Sequence, residues 1–433
     1  MTGYLIKNGR VIDPANKIDE VLDILISGDK IEKVGKSLSA GKCKVIDASG
    51  KIVGPGLVDM HTHLREPGRE DKETVASGTR AAIKGGFTSV ACMANTEPEA
   101  LDNPGIIKRL NDIIKKDALA NVFVVGAITM GRAGKKLADF KALKKAGAIG
   151  LSDDGSSVDD ARLMSEALTA AKKEGLLVIG HCEDKSISDN GVINHGFIST
   201  KMGLRGIPGE AEYKRVGRDI ELAKKAKAAI HIAHVSCKES VDIIRKAKKA
   251  GVAVSAETAP HYFSLTEDCC VTYDTNMKMN PPLRAKEDVE AIKKALKDAT
   301  IDAIATDHAP HTDSEKDVEF DFAPFGIIGL ETALSLAVME LVEKKVLSWS
   351  ELFMRMSAAP AKLLGIDRGD LKKGSAADIV IIDPGKEYTY TKDLVASRSK
   401  NSPFINWKLK GKVSHILVGG KLVMADGIIL ESK

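Results

Sequence analysis

The sequence is poor in aromatic residues, which make up 4% of its 433 positions. Few aromatic side chains leave little basis for a surface that stacks nucleic-acid bases or sugar rings. A cysteine framework is also lacking, since the six cysteines form no C-x-x-C pair and follow no regular spacing. We therefore expect reduced thiols and a cytoplasmic protein rather than a disulfide-linked secreted one.

Long apolar runs and an excess of one charge are missing too. No run reaches the length of a membrane span, and the N-terminal MTGYLIKNGRVIDP alternates like a strand, unlike a signal peptide. The 64 basic and 60 acidic residues are scattered and leave a net charge of +4. These features predict neither a nucleic-acid partner nor a membrane partner. With 43% hydrophobic and 29% charged residues, the composition is that of a soluble globular protein.

Both ends of the chain have the pattern of short strands joined by tight turns. Residues 1–53 contain YLIKNGRVI, with an Asn-Gly hairpin signal, and ILISGDKIEKVG. Residues 374–385 and 413–430 repeat this pattern in ADIVIID and ILVGGKLVM. The sequence therefore predicts a small β-sandwich domain composed of residues 1–53 and 366–433, which flanks a different domain at 54–365.

In the middle of the chain, short apolar runs alternate with amphipathic helical stretches such as KESVDIIRKAKKAG. Eight βα units of this kind predict an α/β protein with a parallel (β/α)8 TIM-like barrel. A doubly wound open sheet also fits the alternation, but it does not explain the strand count or the missing Gly-rich phosphate turn. The eight runs are LVDM (57–60), TSVACM (88–93), VFVVGA (122–127), AIGLSD (148–153), LLVIGH (176–181), IHIAHV (230–235), VAVSAE (252–257) and DAIATD (302–307).

Imidazole and carboxylate groups gather at the predicted carboxyl ends of five of these strands, where the chemistry of a barrel is located. His61 and His63 are two residues apart, so both side chains point the same way on a strand. The H-x-H pair alone is weak support for a metal site, but the accumulation at five strand ends makes a divalent-metal site the better interpretation. The other groups at these ends are Asp153, Asp154, His181, His234 and Asp307.

The number of candidate ligands exceeds what one four-coordinate zinc requires, which favours a carboxylate shared by two metals. The spacing does not decide whether Asp153 or Asp154 points inward. Such a metal pair holds hydroxide ready at neutral pH, and Asp307 can pass a proton to the leaving nitrogen. This predicts amide hydrolysis without a protein nucleophile, since no G-x-S-x-G elbow is present.

Over nearly its whole length the chain resembles the amidohydrolase superfamily and, more closely, the bacterial type I dihydroorotases. H-x-H is shared by many amidohydrolases, whereas H-x-H-x-R-E-P-G combined with NPPLR and DHAPH is far more specific. The resemblance lies in GLVDMHTHLREPG, GGFTSVACMANT, GLSDDG, GHCEDK, AHVS, KMNPPLR, ATDHAPH, APFGIIGLET and NSPFINWKLKGKV.

The resemblance implies one or two zinc ions per subunit and the residues that hold them. It selects Asp153 over Asp154 as the shared carboxylate and makes Asp307 the general acid/base. The ligand types alone would also accept Mn²⁺, Co²⁺ or Fe²⁺. The implied ligands are His61, His63, Asp153 and Asp307 for the first ion, and Asp153, His181 and His234 for the second.

The resemblance also implies a substrate-binding set. Arg65 and Asn95 would bind the substrate carboxylate, a task that suits the guanidinium fork. Asn280, His311 and the backbone near Phe325 and Gly326 would contact the rest of the ring. Without the resemblance, local context favours a salt bridge at the rim for Arg65 and a turn or cap for Asn95.

The implied reaction is the reversible cyclisation of N-carbamoyl-L-aspartate to L-dihydroorotate, the third step of de novo pyrimidine (UMP) biosynthesis. One alternative is another cyclic amidase of the hydantoinase, allantoinase or dihydropyrimidinase type. The run AGAIGLSDDG has no lysine to be carboxylated between the metals, which counts against that alternative. A second alternative is a metal-free, non-catalytic scaffold, against which the full set of candidate ligands argues.

The resemblance suggests two kinds of protein partner in addition to the small-molecule substrate. Some type I dihydroorotases associate with aspartate carbamoyltransferase, which makes their substrate, and a homo-oligomer is the other option. The sequence shows no interface of its own for either.

Overall fold

The structure is a computed structural model that describes residues 3–430. Strands and helices alternate through the middle of the chain, while strands dominate both ends. The strands are β1 (Tyr4–Asp13), β2 (Ile18–Ser27), β3 (Lys30–Gly35), β4 (Lys44–Asp47), β5 (Ile52–Pro55), β6 (Leu57–Thr62), β7 (Phe87–Cys92), β8 (Asn121–Gly126), β9 (Ala148–Leu151), β10 (Leu177–Gly180), β11 (Ile193–Asn194), β12 (Gly206–Ile207), β13 (Ile230–Ile232), β14 (Val254–Thr258), β15 (Ala303–Ile304), β16 (Ile379–Thr389), β17 (Lys408–Val418), β18 (Lys421–Ala425) and β19 (Ile428–Ile429).

The α-helices cover the outside of the barrel and its lower end. Their amphipathic faces bury the apolar residues at helical spacing, for example Ile106, Ile107 and Leu110 in the second helix. The helices are α1 (Val75–Gly85), α2 (Pro104–Asp117), α3 (Phe140–Ala146), α4 (Ala161–Glu174), α5 (Lys185–Ser188), α6 (Phe197–Met202), α7 (Glu210–Ala226), α8 (Lys238–Lys249), α9 (Pro260–Ser264), α10 (Lys286–Lys297), α11 (Asp313–Lys316), α12 (Ala333–Ala337), α13 (Trp349–Phe353) and α14 (Ala359–Leu364).

Eight parallel strands form the barrel, in the order β15-β14-β13-β10-β9-β8-β7-β6. Each of the eight predicted apolar runs overlaps one of these strands, which confirms the predicted (β/α)8 barrel. The two outermost strands are joined where the chain leaves β15. There the backbone N–H of His63 donates to the carbonyl of His308 at 2.9 Å, and the Asp59 carboxylate accepts from the N–H of Thr306 at 3.1 Å.

A nine-stranded mixed sheet combines both ends of the chain, which confirms the composite β-domain. Strand β5 joins its two parts, since it pairs in parallel with β1 and antiparallel with β16, where Val53 lies opposite Ile381. Isoleucines from both ends, such as Ile6, Ile24 and Ile379, share one buried core. The domain boundaries at 53/54 and 365/366 stay a prediction.

Among residues 3–430, no helix has both the length and the apolar character that crossing a membrane requires.

Candidate active site

Four imidazoles converge at the carboxyl end of the barrel. His61 and His63 come from β6 and the residue after it, and their ring centroids lie 5.2 Å apart. His181 follows β10 and His234 follows β13, and their ring centroids lie 4.7 Å apart. The rings of His61 and His234 are 5.3 Å apart, which joins the two pairs into one cluster. The parallel strands bring these side chains together because their carboxyl ends all face the same rim.

Two carboxylates lie among these rings. Asp154 Oδ1 is 3.3 Å from His181 Nδ1 and from His234 Nε2. The same oxygen is 3.4 Å from His61 Nε2, and Asp154 Oδ2 is 3.5 Å from His63 Nε2. Asp307 Oδ1 is 3.0 Å from His63 Nε2 and 3.5 Å from His61 Nε2. Ligands of a tetrahedral zinc are roughly 3.3–3.6 Å apart when the bonds are about 2.0–2.2 Å, so most of these separations fit metal ligands.

The donor atoms also have the protonation pattern that a metal requires. His61 Nδ1 is 2.7 Å from Glu257 Oε1, and His63 Nδ1 is 2.7 Å from Asn95 Oδ1. These partners place the ring proton on Nδ1 and leave the lone pair on Nε2. His61 Nε2 is fully buried and has no hydrogen-bond partner among residues 3–430. An unpaired, buried Nε2 that faces two carboxylates is suited to bind a cation held between them, so the residues present fit a divalent metal.

Asp154, and not Asp153, occupies the position between the histidines. The prediction of Asp153 as the shared ligand is therefore wrong for this structure. The Asp153 carboxylate turns away from the imidazoles and accepts hydrogen bonds from the backbone N–H groups of Ile128 and Thr129, at 2.8 and 3.0 Å. The Asp154 carboxylate is nearly completely buried and forms one of the two candidate metal-ligand groups, with His61 and His234.

The charge balance keeps the two central carboxylates ionised. Burial raises the pKa of Asp307, but the neighbouring imidazoles of His61 and His63 outweigh this effect and hold the pKa well below its usual value. For Asp154, the neighbouring histidines overcome the effect of burial in the same way and lower its pKa. Asp307 is thus unprotonated at neutral pH and able to accept a proton.

Three site residues other than glycine adopt left-handed backbone conformations, with φ of 62° at Arg65, 34° at His234 and 50° at Asp307. Such conformations are uncommon for residues other than glycine, and they cluster at functional sites, where the surrounding structure holds them. Each of these residues stands just beyond a barrel strand, where the chain turns out of the sheet and directs its side chain into the pocket.

Above the imidazoles lies an open pocket with a cavity volume of about 190 Å³. It is large enough for one small ring substrate. Nearly all the site residues predicted from the sequence line this pocket. The exceptions are His61, which lies beneath it, and Asp153, which lies outside it. The predicted residues that line the pocket are His63, Arg65, Asn95, His181, His234, Asn280, Asp307, His311, Phe325 and Gly326.

On one wall of the pocket, Arg65 is partly buried and its guanidinium faces His311. Arg65 Nε donates to the carbonyl of Pro310 at 3.2 Å, and a terminal nitrogen is 3.5 Å from His311 Nε2. His311 Nε2 donates to the carbonyl of Phe325 at 2.8 Å. The wall therefore offers a fixed cation and several polar groups to a substrate anion.

Sequence reasoning missed two carboxylates that orient the imidazoles. Glu257, the penultimate residue of β14, binds His61 and also lies 3.3 Å from His231 Nε2. Glu183 Oε2 is 3.3 Å from His181 Nε2 and accepts from Asn280 Nδ2 at 3.0 Å. Both are acidic residues at barrel strand ends, which is the signal that could have identified them.

Comparisons with known proteins identify related sequences over nearly the whole chain. The family described as dihydro-orotase-like matches residues 50–240. The dihydroorotase of Elusimicrobium minutum is 54% identical over 426 residues, which cover 98% of both chains. The dihydroorotase of Geobacter metallireducens is 54% identical over 420 residues, which cover 97% of this chain and 99% of that protein.

Solved structures of cyclic amidases share the architecture. The dihydropyrimidinase from Brevibacillus agri NCHU1002 has a TM-score of 0.87 and 26% identity, and the match covers 99% of this chain and 96% of that one. The L-hydantoinase from Arthrobacter aurescens has a TM-score of 0.90 and 24% identity, and the match covers 100% of this chain and 98% of that one. The second likeness concerns the fold alone.

Proposed function

Because the chain belongs to the dihydroorotase family, we propose that it catalyses the reversible cyclisation of N-carbamoyl-L-aspartate to L-dihydroorotate in pyrimidine synthesis. The observation that carries this proposal is the position of Arg65 in the same pocket as the imidazole and carboxylate cluster. The cluster supplies the groups for cyclic amide hydrolysis. The arginine supplies the cation that a ring substrate bearing a carboxylate needs.

We assign the metal ligands from the interatomic distances. His61, His63 and Asp307 would hold one ion, and His181 and His234 the other, with Asp154 shared between them. We propose zinc, which suits imidazole and carboxylate ligands in a compact site. When bound, a pair of divalent ions lowers the pKa of water and polarises a carbonyl oxygen.

Asp307 is assigned the proton transfers. Its carboxylate is ionised, lies at the edge of the cluster and lines the pocket, so it can accept a proton from the attacking water. In hydrolysis it then donates that proton to the ring nitrogen that leaves. In the cyclisation direction it removes the proton from the carbamoyl nitrogen, in accordance with microscopic reversibility.

The remaining pocket residues would bind and orient the substrate. Arg65 and Asn95, which line the pocket, would hold its carboxylate. Asn280, fixed by its hydrogen bond to Glu183, would contact the ring together with His311 and the backbone at Phe325 and Gly326. Fixing the ring in this way places its amide carbonyl over the carboxylate cluster, and such orientation lowers the barrier of the chemical step.

The proposal is tested by assaying carbamoyl-aspartate formation from dihydroorotate before and after removal of the metal by a chelator, and again after zinc is added. We expect activity to be lost with the metal and restored by zinc, while Asp154→Ala stays inactive at all zinc concentrations. A chelated protein that keeps full activity would refute the metal assignment. A zinc-loaded protein that hydrolyses hydantoin or dihydrouracil but not dihydroorotate would favour the other cyclic amidases.

We also propose a cytoplasmic location, which the six free cysteines support because thiols stay reduced in that compartment. Association with aspartate carbamoyltransferase and self-association remain predictions. Size-exclusion chromatography with and without aspartate carbamoyltransferase tests both.

A further inference from the structure

The loop after β8 holds the Asp153 side chain with three hydrogen bonds. The backbone N–H groups of Ile128 and Thr129 donate to Asp153 Oδ1 at 2.8 and 3.0 Å, and the Thr129 hydroxyl donates to Oδ2. Asp153 is 3% exposed, so water contributes little to this arrangement. A buried carboxylate that accepts three hydrogen bonds from one dipeptide is firmly fixed in place.

The same loop also holds the next residue, through its backbone. A guanidinium nitrogen of Arg132 donates to the carbonyl of Asp154 at 2.6 Å. The backbone N–H of Gly134 donates to the Thr129 hydroxyl at 2.9 Å, which closes the loop on itself. Residues 128–134, which we call the clasp loop, therefore contact both aspartates but leave the Asp154 carboxylate free to face the imidazoles.

Asp154 needs such support because it lies beyond the end of β9, which stops at Leu151. The sheet does not fix its backbone, and the chain turns immediately afterwards at Gly155, where φ is 74°. The Asp154 carboxylate nevertheless has to meet four imidazoles at separations of 3.3–3.5 Å. A small rotation of this turn would move the carboxylate out of reach or bring Asp153 in its place.

We propose that Asp153, Thr129 and Arg132 are positioning residues, which determine that Asp154 and not its neighbour becomes the shared metal ligand. The inference rests on the proposed function, since it concerns the metal centre assigned there. None of the three residues touches the reacting atoms; they act through the backbone and orientation of Asp154. Residues that orient a metal ligand from outside typically contribute about 10- to 100-fold to metal affinity.

The test measures zinc affinity by competition with a chromophoric chelator, starting from the metal-loaded protein, together with the visible spectrum of the cobalt-substituted protein. For Asp153→Ala we expect roughly 10- to 100-fold weaker zinc binding and a changed cobalt spectrum. We expect kcat to fall while KM for dihydroorotate changes little. Asp153→Asn should recover part of the loss, because its amide oxygen still accepts from the two N–H groups.

Two further variants keep the test decisive if Asp153→Ala fails to fold. Thr129→Val removes the hydroxyl contacts with Asp153 and Gly134, and Arg132→Met removes the contact with the Asp154 carbonyl. We expect each to weaken zinc binding in the same direction by a smaller factor. Lys135→Ala is the matched control: this exposed lysine follows directly on the clasp loop, and its removal should leave zinc affinity unchanged.

The inference would be overturned if the folded variants bound zinc as tightly as the wild type and showed an unchanged cobalt spectrum. The variants are Asp153→Ala, Thr129→Val and Arg132→Met, and this result would leave the proposed function intact. A wild-type protein that binds no zinc would refute the proposed function itself. The two failures are therefore distinguishable.

Discussion

At the scale of single residues, the chemistry of this site depends on what lies behind each metal-ligand candidate. Three side chains contact the ring nitrogens that point away from the proposed metal positions. They are Glu257 at His61, Asn95 at His63 and Glu183 at His181. Such partners fix the tautomer and the orientation of the ring. The oxygen of Asn95 contacts His63, which leaves its amide nitrogen for the substrate carboxylate in the proposed binding mode.

Arg65 gives the sharpest test of substrate choice at this scale. We expect Arg65→Met to lower kcat/KM for dihydroorotate by roughly 30-fold or more, since losing one partner of a buried charge pair costs about 2–5 kcal/mol. Turnover of a neutral cyclic amide such as hydantoin should change far less, because that ring brings no carboxylate to the arginine. Parallel assays of both substrates check this, and an equal loss on both would count against a carboxylate-binding role.

The choice between Asp153 and Asp154 shows where sequence reasoning ends at this scale. Both are carboxylates at the same strand end, and hydrophobic periodicity treats them alike. What separates them is a contact with Ile128 and Thr129, about 25 positions earlier in the chain. Local patterns carry no information on such a contact, and a resemblance of motifs that contain both residues is easily misaligned by one position.

At the scale of elements, two buried lysines hold the segment 320–326, which ends in the pocket residues Phe325 and Gly326. Lys278 Nζ donates to the carbonyls of Phe320 and Asp321 at 2.8 and 3.0 Å. Lys316 Nζ donates to the carbonyls of Thr275 and Pro324 at 3.0 and 2.8 Å. Desolvation, with the nearby charge of Lys278, lowers the pKa of Lys316 to about 7.

This pKa predicts a pH dependence of stability. Between pH 7 and about 10.4, the unfolded chain holds the Lys316 proton and the folded chain has released it. The lysine therefore makes the free energy of unfolding rise with pH in this window, by up to about 1.4 kcal/mol per pH unit, and that contribution is lost as the pH falls to 7.

We expect Lys316→Met to remove this slope, because methionine carries no proton to release. Urea unfolding of both proteins between pH 7 and 9.5 measures the difference in their free energies of unfolding. Curves that stay parallel over this range would show that Lys316 keeps its proton in the folded state.

The barrel strands could be predicted from the sequence, whereas the smallest elements could not. Eight apolar runs separated by helical stretches leave few alternatives to a closed parallel barrel. The pair β11 and β12 has two residues in each strand, Ile193 opposite Gly206 and Asn194 opposite Ile207. Two residues show no periodicity, and their pairing depends on tertiary neighbours such as Arg284, which donates to the Asn194 side chain at 2.7 Å.

At the scale of the whole molecule, the barrel and the composite β-domain share a tightly packed seam. Gly54 in β5 lies directly against Phe353 in α13, and a Cβ atom at this glycine would be 2.3 Å from the Phe353 ring. The Phe353 side chain is 1% exposed, so the ring has little room to move. The glycine is thus required where the two parts meet.

We expect Gly54→Ala to destabilise the protein by about 1–3 kcal/mol, the usual cost of overpacking a buried site, without changing the zinc affinity of the folded protein. Gly217→Ala is the matched control. Its Cβ would lie 3.9 Å from the nearest atom, in the middle of α7, and alanine there should stabilise the helix by about 0.5–1 kcal/mol. Thermal unfolding of the wild type and both variants measures these changes in stability. A melting temperature of Gly54→Ala at or above that of Gly217→Ala would contradict the tight packing of Gly54 against Phe353.

The overall fold does not by itself identify the substrate. Hydantoinase and dihydropyrimidinase structures superpose on nearly the whole chain, although their sequences are only 24–26% identical to it. The fold alone therefore does not determine the ring substrate, and our proposal assigns the choice to pocket side chains such as Arg65.

The convergence of distant side chains on metal ions is tested most directly by anomalous X-ray scattering at the zinc edge from crystals of the zinc-loaded protein. We predict anomalous peaks between His61, His63 and Asp307 and between His181 and His234, with the Asp154 carboxylate bonded to the metal and Asp153 turned toward Ile128 and Thr129. Peaks elsewhere on the molecule, or a zinc ligated by Asp153 in place of Asp154, would contradict the arrangement described above.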